Sequence, residues 1–134
     1  MRTALPVILT SIGCSLIGTA KAHTTASIDA GRGEVALLLP SNYNEKKALP
    51  LVVSLHGFRG TGQSYIDYWT KNGMVDEQQF IVAAPEGTKD SKGRTFWNAT
   101  QACCNKEGRD IDDSAYLRRL IEAVEAAYNI DPAS

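Results

Sequence analysis

Between Ala4 and Ala20 the chain carries no charged side chain. Leu5, Val7, Ile8, Leu9, Ile12, Leu16 and Ile17 form an apolar body behind Arg2. The stretch closes on Ala20-Lys21-Ala22, which places small residues at both positions a signal peptidase reads. It is shorter than the roughly 20 apolar residues a spanning helix needs, and Pro6, Gly13 and Gly18 interrupt it. Residues 1–22 are therefore expected to be a cleaved secretory signal, leaving a mature domain of residues 23–134. Ser11-Ile12-Gly13-Cys14 is a poor lipidation box, because serine is unfavourable at its first position and apolar sequence continues past Cys14.

Beyond residue 22 the pattern becomes that of a folded domain. Residues 23–30 read as a polar lead-in. Residues 34–39 read as a strand halted by Pro40, and residues 49–55 as a second one. The nearly unbroken apolar run of the second strand suits a strand covered on both faces, as in a parallel sheet. A glycine-rich loop follows, then a helix over residues 64–73 with Tyr65, Tyr68 and Trp69 on one side. A third strand at residues 80–84 stops at Pro85-Glu86-Gly87. Residues 87–111 form a long loop, and loops of this length in compact domains commonly carry function. Asp110 or Asp112 caps a helix reaching about Tyr128, with Leu117, Leu120, Ile121, Val124 and Tyr128 on its apolar stripe. Strand, strand, helix, strand, helix in this order predicts an α/β sheet. A further buried strand is expected after Asp131-Pro132, because the strands around Val52 and Ile81 need neighbours. The sequence reaches Ser134 without one.

Composition narrows the partners only slightly. Of 134 residues, 43% are hydrophobic and 22% charged, with a formal net charge of −1. This is the profile of a globular protein and offers no basic excess for nucleic acid. After signal cleavage no membrane segment is expected. Cys103 and Cys104 are then the only cysteines left. Both can form disulfides in an oxidising compartment, and within this chain they can pair only with each other. No His or other Cys lies near them to build a zinc site.

The candidate chemistry sits at the end of the second strand, in His56-Gly57-Phe58. Ligands gather at the carboxyl edge of open α/β sheets. A glycine there lets the backbone turn, so that an amide N–H can face a developing oxyanion. The following Gly57-Phe58-Arg59-Gly60-Thr61-Gly62-Gln63-Ser64 is no phosphate loop, since Gln63 stands where lysine is required. Tyr65 likewise replaces the third glycine of a dinucleotide motif. Asp110, Asp112 and Asp113 lack the loop and closing Glu of a calcium site and read as helix-capping carboxylates. Trp97 is a candidate for stacking on a substrate ring, or for plain packing. Asn98-Ala99-Thr100 is a glycosylation sequon.

The ordered series Leu51-Val52-Val53-Ser54-Leu55-His56-Gly57, Ala84-Pro85-Glu86-Gly87, Trp97-Asn98, Cys103-Cys104, Asp112-Asp113 and Tyr128-Asn129-Ile130-Asp131-Pro132 resembles the secreted polyhydroxybutyrate-depolymerase and feruloyl-esterase group of α/β hydrolases. The likeness spans about residues 33–132. It implies the N-terminal part of an α/β-hydrolase fold, a mostly parallel sheet with flanking helices, ending before the nucleophile strand. It also implies a secreted or periplasmic serine esterase without a cofactor, acting on a polyester or on feruloyl or acetyl esters of the plant cell wall. On that pattern the oxyanion hole takes the Phe58 amide, with Gly57 permitting the turn and His56 bracing it.

The chain departs from the pattern at its centre. No Gly-x-Ser-x-Gly occurs, and His23 and His56 are the only histidines. The nucleophile, acid and base are therefore expected beyond Ser134. Ser54, on the strand, and Ser64, at a helix start where serine usually caps, are weak substitutes for the nucleophile. Two other readings stay open: a secreted, non-catalytic module that binds carbohydrate or polymer, and a gene fragment without function.

Overall fold

The computed structural model describes residues 23–100 and 102–133, so the expected signal sequence lies outside the described residues. Strands β1 (Thr24–Asp29), β2 (Glu34–Leu39), β3 (Leu51–Val53) and β4 (Ile81–Ala84) form one sheet in the order β1-β2-β4-β3. Helices α1 (Gly62–Asn72) and α2 (Met74–Gln78) lie between β3 and β4 in sequence. A small hairpin of β5 (Thr88–Lys89) and β6 (Thr95–Phe96) precedes helix α3 (Asp113–Ala127).

The apolar runs are explained by cover on both faces. Along β2, Val35, Leu37 and Leu39 pack with Tyr116, Leu120 and Val124 of α3, while Leu38 points the other way onto Ile66 and Val75. β4 alternates in the same manner: Ile81 and Ala83 face α3, Val82 and Ala84 face α1 and α2. Successive strand side chains point to opposite faces, so with helices on both sides every position of β4 is buried. Each such aliphatic side chain contributes about 1.5–3 kcal/mol of burial.

Several expectations are corrected. Residues 24–29 are a strand, antiparallel to β2 from Thr24↔Leu39 to Asp29↔Glu34. Its inward positions Ala26 and Ile28 alternate with exposed Thr25, Ser27 and Asp29. The sheet is mixed rather than mostly parallel: β2 pairs antiparallel with β1 and β4, and only β3 and β4 pair in parallel. The short connection between β1 and β2 makes that pair antiparallel, and its turn is tied by Asp29 Oδ1, which accepts from the Gly31 and Gly33 amides. β3 and β4, the parallel pair, are joined directly through α1 and α2. Residues 74–78 form a further short helix. The long loop is interrupted by the β5–β6 hairpin, whose turn is organised by the Asp90 carboxylate accepting from the Lys92 and Arg94 amides.

Asp112 is the cap of α3, its Oδ1 accepting from the Ala115 amide at 2.8 Å. The buried stripe of α3 is Asp113, Tyr116, Leu120 and Val124. Ile121, expected on the stripe, is 36% exposed. Thr61, not Ser64, caps α1, accepting from the Ser64 amide at 3.2 Å.

The register of β3 also fixes where its free edge points. The Ile81 amide donates to Pro50 and the Ser54 amide to Ala83, so even-numbered peptide groups face β4. Those of Leu51 and Val53 face away. On that outer side the Leu49 amide donates to Asn129 O, and Leu49 O accepts from the Asp131 amide, giving a parallel bridge between Leu49 and Ile130.

Candidate functional site

The carboxyl ends of β3 and β4 meet through His56. Its imidazole is 2% exposed. Nδ1 lies 2.8 Å from Gly57 O, and Nε2 accepts from the Gly87 amide at 2.9 Å. A carbonyl can only accept and an amide can only donate, so the network assigns the proton to Nδ1. Glu86 Oε2 is 3.5 Å from Nε2, too long to displace the Gly87 bond. His56 thus clamps the turn after β3 to the loop after β4. Gly87 is required there: a Cβ on it would strike the Phe96 carbonyl and the His56 ring.

The turn of residues 57–60 closes with the Gly60 amide donating to Gly57 O at 2.9 Å. β6 holds it from the side: Arg59 N–H donates to Thr95 O at 2.8 Å, and Thr95 Oγ1 donates to Gly60 O at 2.6 Å. Arg59 sits at φ 68°, a left-handed conformation that costs a side-chain-bearing residue on the order of 1 kcal/mol. In this geometry the amides of Arg59 and Gly60 are both used. The Phe58 amide, at the second position of the turn, meets no acceptor among the described residues. The Phe58 ring is 38% exposed, with the Arg94 guanidinium 5.5 Å and the Lys106 ammonium 5.7 Å from its centre.

Trp97 is packed. Its indole N–H donates to His56 O at 2.9 Å, and its ring lies between His56 and Tyr116, with centroids at 5.3 and 6.5 Å. Burial holds the Tyr116 phenol above the usual tyrosine range, against the pull of the Arg32 guanidinium 4.2 Å from the ring centre. Asp113, nearly buried, accepts from Arg32 Nη1 and the Asn98 amide, both at 2.5 Å. It ties α3 to the β1–β2 turn and to the loop carrying Trp97. The Asn98 side chain is engaged as well, donating to Ile111 O and accepting from Asn105.

Neither candidate serine faces an imidazole. Ser54 is 7% exposed and accepts from the Trp69 indole at 3.0 Å. Ser64 Oγ donates to Thr61 O at 2.6 Å. His23 is 3.1 Å from Asp76. Cys103 and Cys104 are joined to each other as a disulfide. Among the described residues no group of three His, Cys, Asp or Glu side chains converges, and no helix is long and apolar enough to cross a membrane.

Two surface features were not anticipated. Ser64, Tyr65, Tyr68 and Trp69 line an open groove of about 450 Å³ on α1. A polar cleft of about 380 Å³ lies between the 57–60 turn and the β5–β6 hairpin, lined chiefly by Arg59, Gly60, Thr61, Lys89, Lys92 and Arg94. The groove was partly legible in the spacing of its aromatics. The cleft was not, because its two halves are some thirty positions apart in sequence. No protein-family model matches the chain, and a search of curated proteins gives no match.

Proposed function

We propose that this fold serves carboxylic-ester hydrolysis of the serine-nucleophile type, in a secreted protein. The Phe58 amide supplies one oxyanion donor, and the nucleophile, acid and base come from residues other than these 134. The observation that carries the reading is the turn at the end of β3. The Arg59 and Gly60 amides are bonded, while those of Gly57 and Phe58 meet no acceptor among the described residues, at the sheet edge where substrates collect. A fixed N–H in such a position stabilises a tetrahedral intermediate, and losing one such donor costs about 3 kcal/mol of transition-state stabilisation. Gly57 has no positive φ and leaves room for a Cβ, so the left-handed step of the turn falls on Arg59, and His56 acts as a positioning residue.

The polypeptide of 134 residues is expected to show no turnover of p-nitrophenyl acetate. Turnover abolished by a serine-directed phosphonate would place the nucleophile within this sequence and overturn that assignment. Reading the gene past the codon for Ser134 tests the class: an in-frame Gly-x-Ser-x-Gly within about 15 codons supports it, and an in-frame stop counts against it.

The aromatic groove on α1 favours a second reading, a non-catalytic module that holds a sugar or polymer against Tyr65, Tyr68 and Trp69. Retention on insoluble xylan that is lost in Tyr68→Ala supports this reading; absence of retention removes it.

A further inference from the structure

The cleft beside the 57–60 turn presents more positive charge than the fold requires. Arg59, Lys89, Lys92 and Arg94 line it. Only Arg94 has a carboxylate partner: Asp90 Oδ2 accepts from its Nε and Nη2, each at 2.6 Å. Among the described residues the side chains of Arg59, Lys89 and Lys92 make no ion pair, although the chain as a whole has a net charge of −1. Like charges gathered in one concavity repel one another and focus a field that draws anions. Arg59 is moreover fixed at its base, its left-handed backbone pinned to β6. Its planar guanidinium is suited to paired hydrogen bonds with a carboxylate.

Resting on the ester-hydrolase reading, we propose that this cleft binds carboxylate groups of an acidic polysaccharide. The ester would then be carried on a uronic-acid-bearing polymer rather than on a neutral polyester. The cleft adjoins Phe58, whose ring lies 5.5 Å from the Arg94 guanidinium. A polymer anchored there passes beside the candidate oxyanion donor, with recognition and chemistry on neighbouring residues. A neutral polyester offers three unpaired cations nothing in exchange for their water. Nucleic acid fits less well, because the cleft holds one or two anionic groups rather than a phosphate row, and its lining carries no aromatic platform.

The test is calorimetric titration of the full chain with polygalacturonate, with fully methyl-esterified polygalacturonan, and with single-stranded DNA. Polygalacturonate is expected to bind, more weakly as salt is raised, and the methyl-esterified polymer not to bind. Arg59→Ala, and separately the double substitution Lys89→Ala with Lys92→Ala, are each expected to weaken binding by about tenfold or more. All three side chains belong to exposed residues, and alanine keeps the same left-handed demand at position 59, so the circular dichroism spectrum should be unchanged. Equal binding of the esterified polymer, indifference to the substitutions, no binding at all, or tighter binding of DNA each overturns the proposal. Because no turnover is read, such a failure leaves the ester-hydrolase reading standing, whereas an in-frame stop after Ser134 counts against that reading without touching the binding result.

Discussion

Both ring nitrogens of His56 are occupied by backbone groups of two different loops, which gives the residue a mechanical task rather than an acid–base one. Nitrogen-15 NMR should show the Nδ1–H tautomer. His56→Ala should lower stability by about 2–4 kcal/mol, from lost burial and from the Gly87 amide left without its acceptor. Urea unfolding of the two proteins checks this, and a difference under 0.5 kcal/mol (about the effect of a neutral surface change) would show that the clamp is idle. The sequence placed His56 on a turn at a strand end, because the apolar run before it and the glycine after it are local signals. Its partner Gly87 is 31 positions away, and nothing local announces that contact. Trp97 illustrates the same limit. Its loop left substrate stacking and plain packing equally open, and the contacts that decide for packing, with His56 and Tyr116, lie far off in sequence.

At the scale of elements, close approaches and turn chemistry decide the outcome. Helix α1 begins against the end of β4, where a Cβ on Gly62 would collide with the Ala84 carbonyl. Alanine is the better helix former by about 1 kcal/mol. Even so, Gly62→Ala is expected to destabilise by a net 1–3 kcal/mol, roughly the cost of overpacking against atoms that cannot yield; thermal unfolding gives the sign. In the β5–β6 hairpin, burial raises the Asp90 carboxyl. Hydrogen bonds from the Arg94 amide and side chain and from the Lys92 amide outweigh that and hold it below the ordinary aspartate range. A lowered folded-state value means that the contribution is present above the unfolded-state value and is lost as pH falls through the folded one. The Lys92 and Arg94 amide proton shifts should therefore titrate together with a midpoint below that range, and Asp90→Asn should abolish the transition. Helices α1 and α3 and the strands β2, β3 and β4 were legible because long apolar periodicities announce them. β1 was not, because four of its six residues are polar and only Ala26 and Ile28 carry the alternation.

For the whole molecule, the uneven feature is the sheet itself. Its centre is covered on both faces, while β3 ends it with Leu51, Val52 and Val53 only half-buried and with peptide groups of Leu51 and Val53 directed outward. Unpaired edges of this kind recruit other strands. Sedimentation velocity at rising concentration is expected to show self-association, reduced by Val53→Lys. A sharp, reversible thermal transition from a strict monomer would speak against it. The layering of helices on a sheet was foreseeable from strand composition, but strand order was not, since pairing partners are chosen by tertiary packing.

The bridge between Leu49 and Ile130 gives this border a traffic direction. Two neighbours that point the same way cannot be joined by a tight reversal; the polypeptide has to travel back over one face first. α3 makes that return journey, delivering residues 129–131 to the start of β3 already headed along it. A strand laid against Leu51 and Val53 in the same sense as residues 129–131 would run from the Leu49 end toward His56.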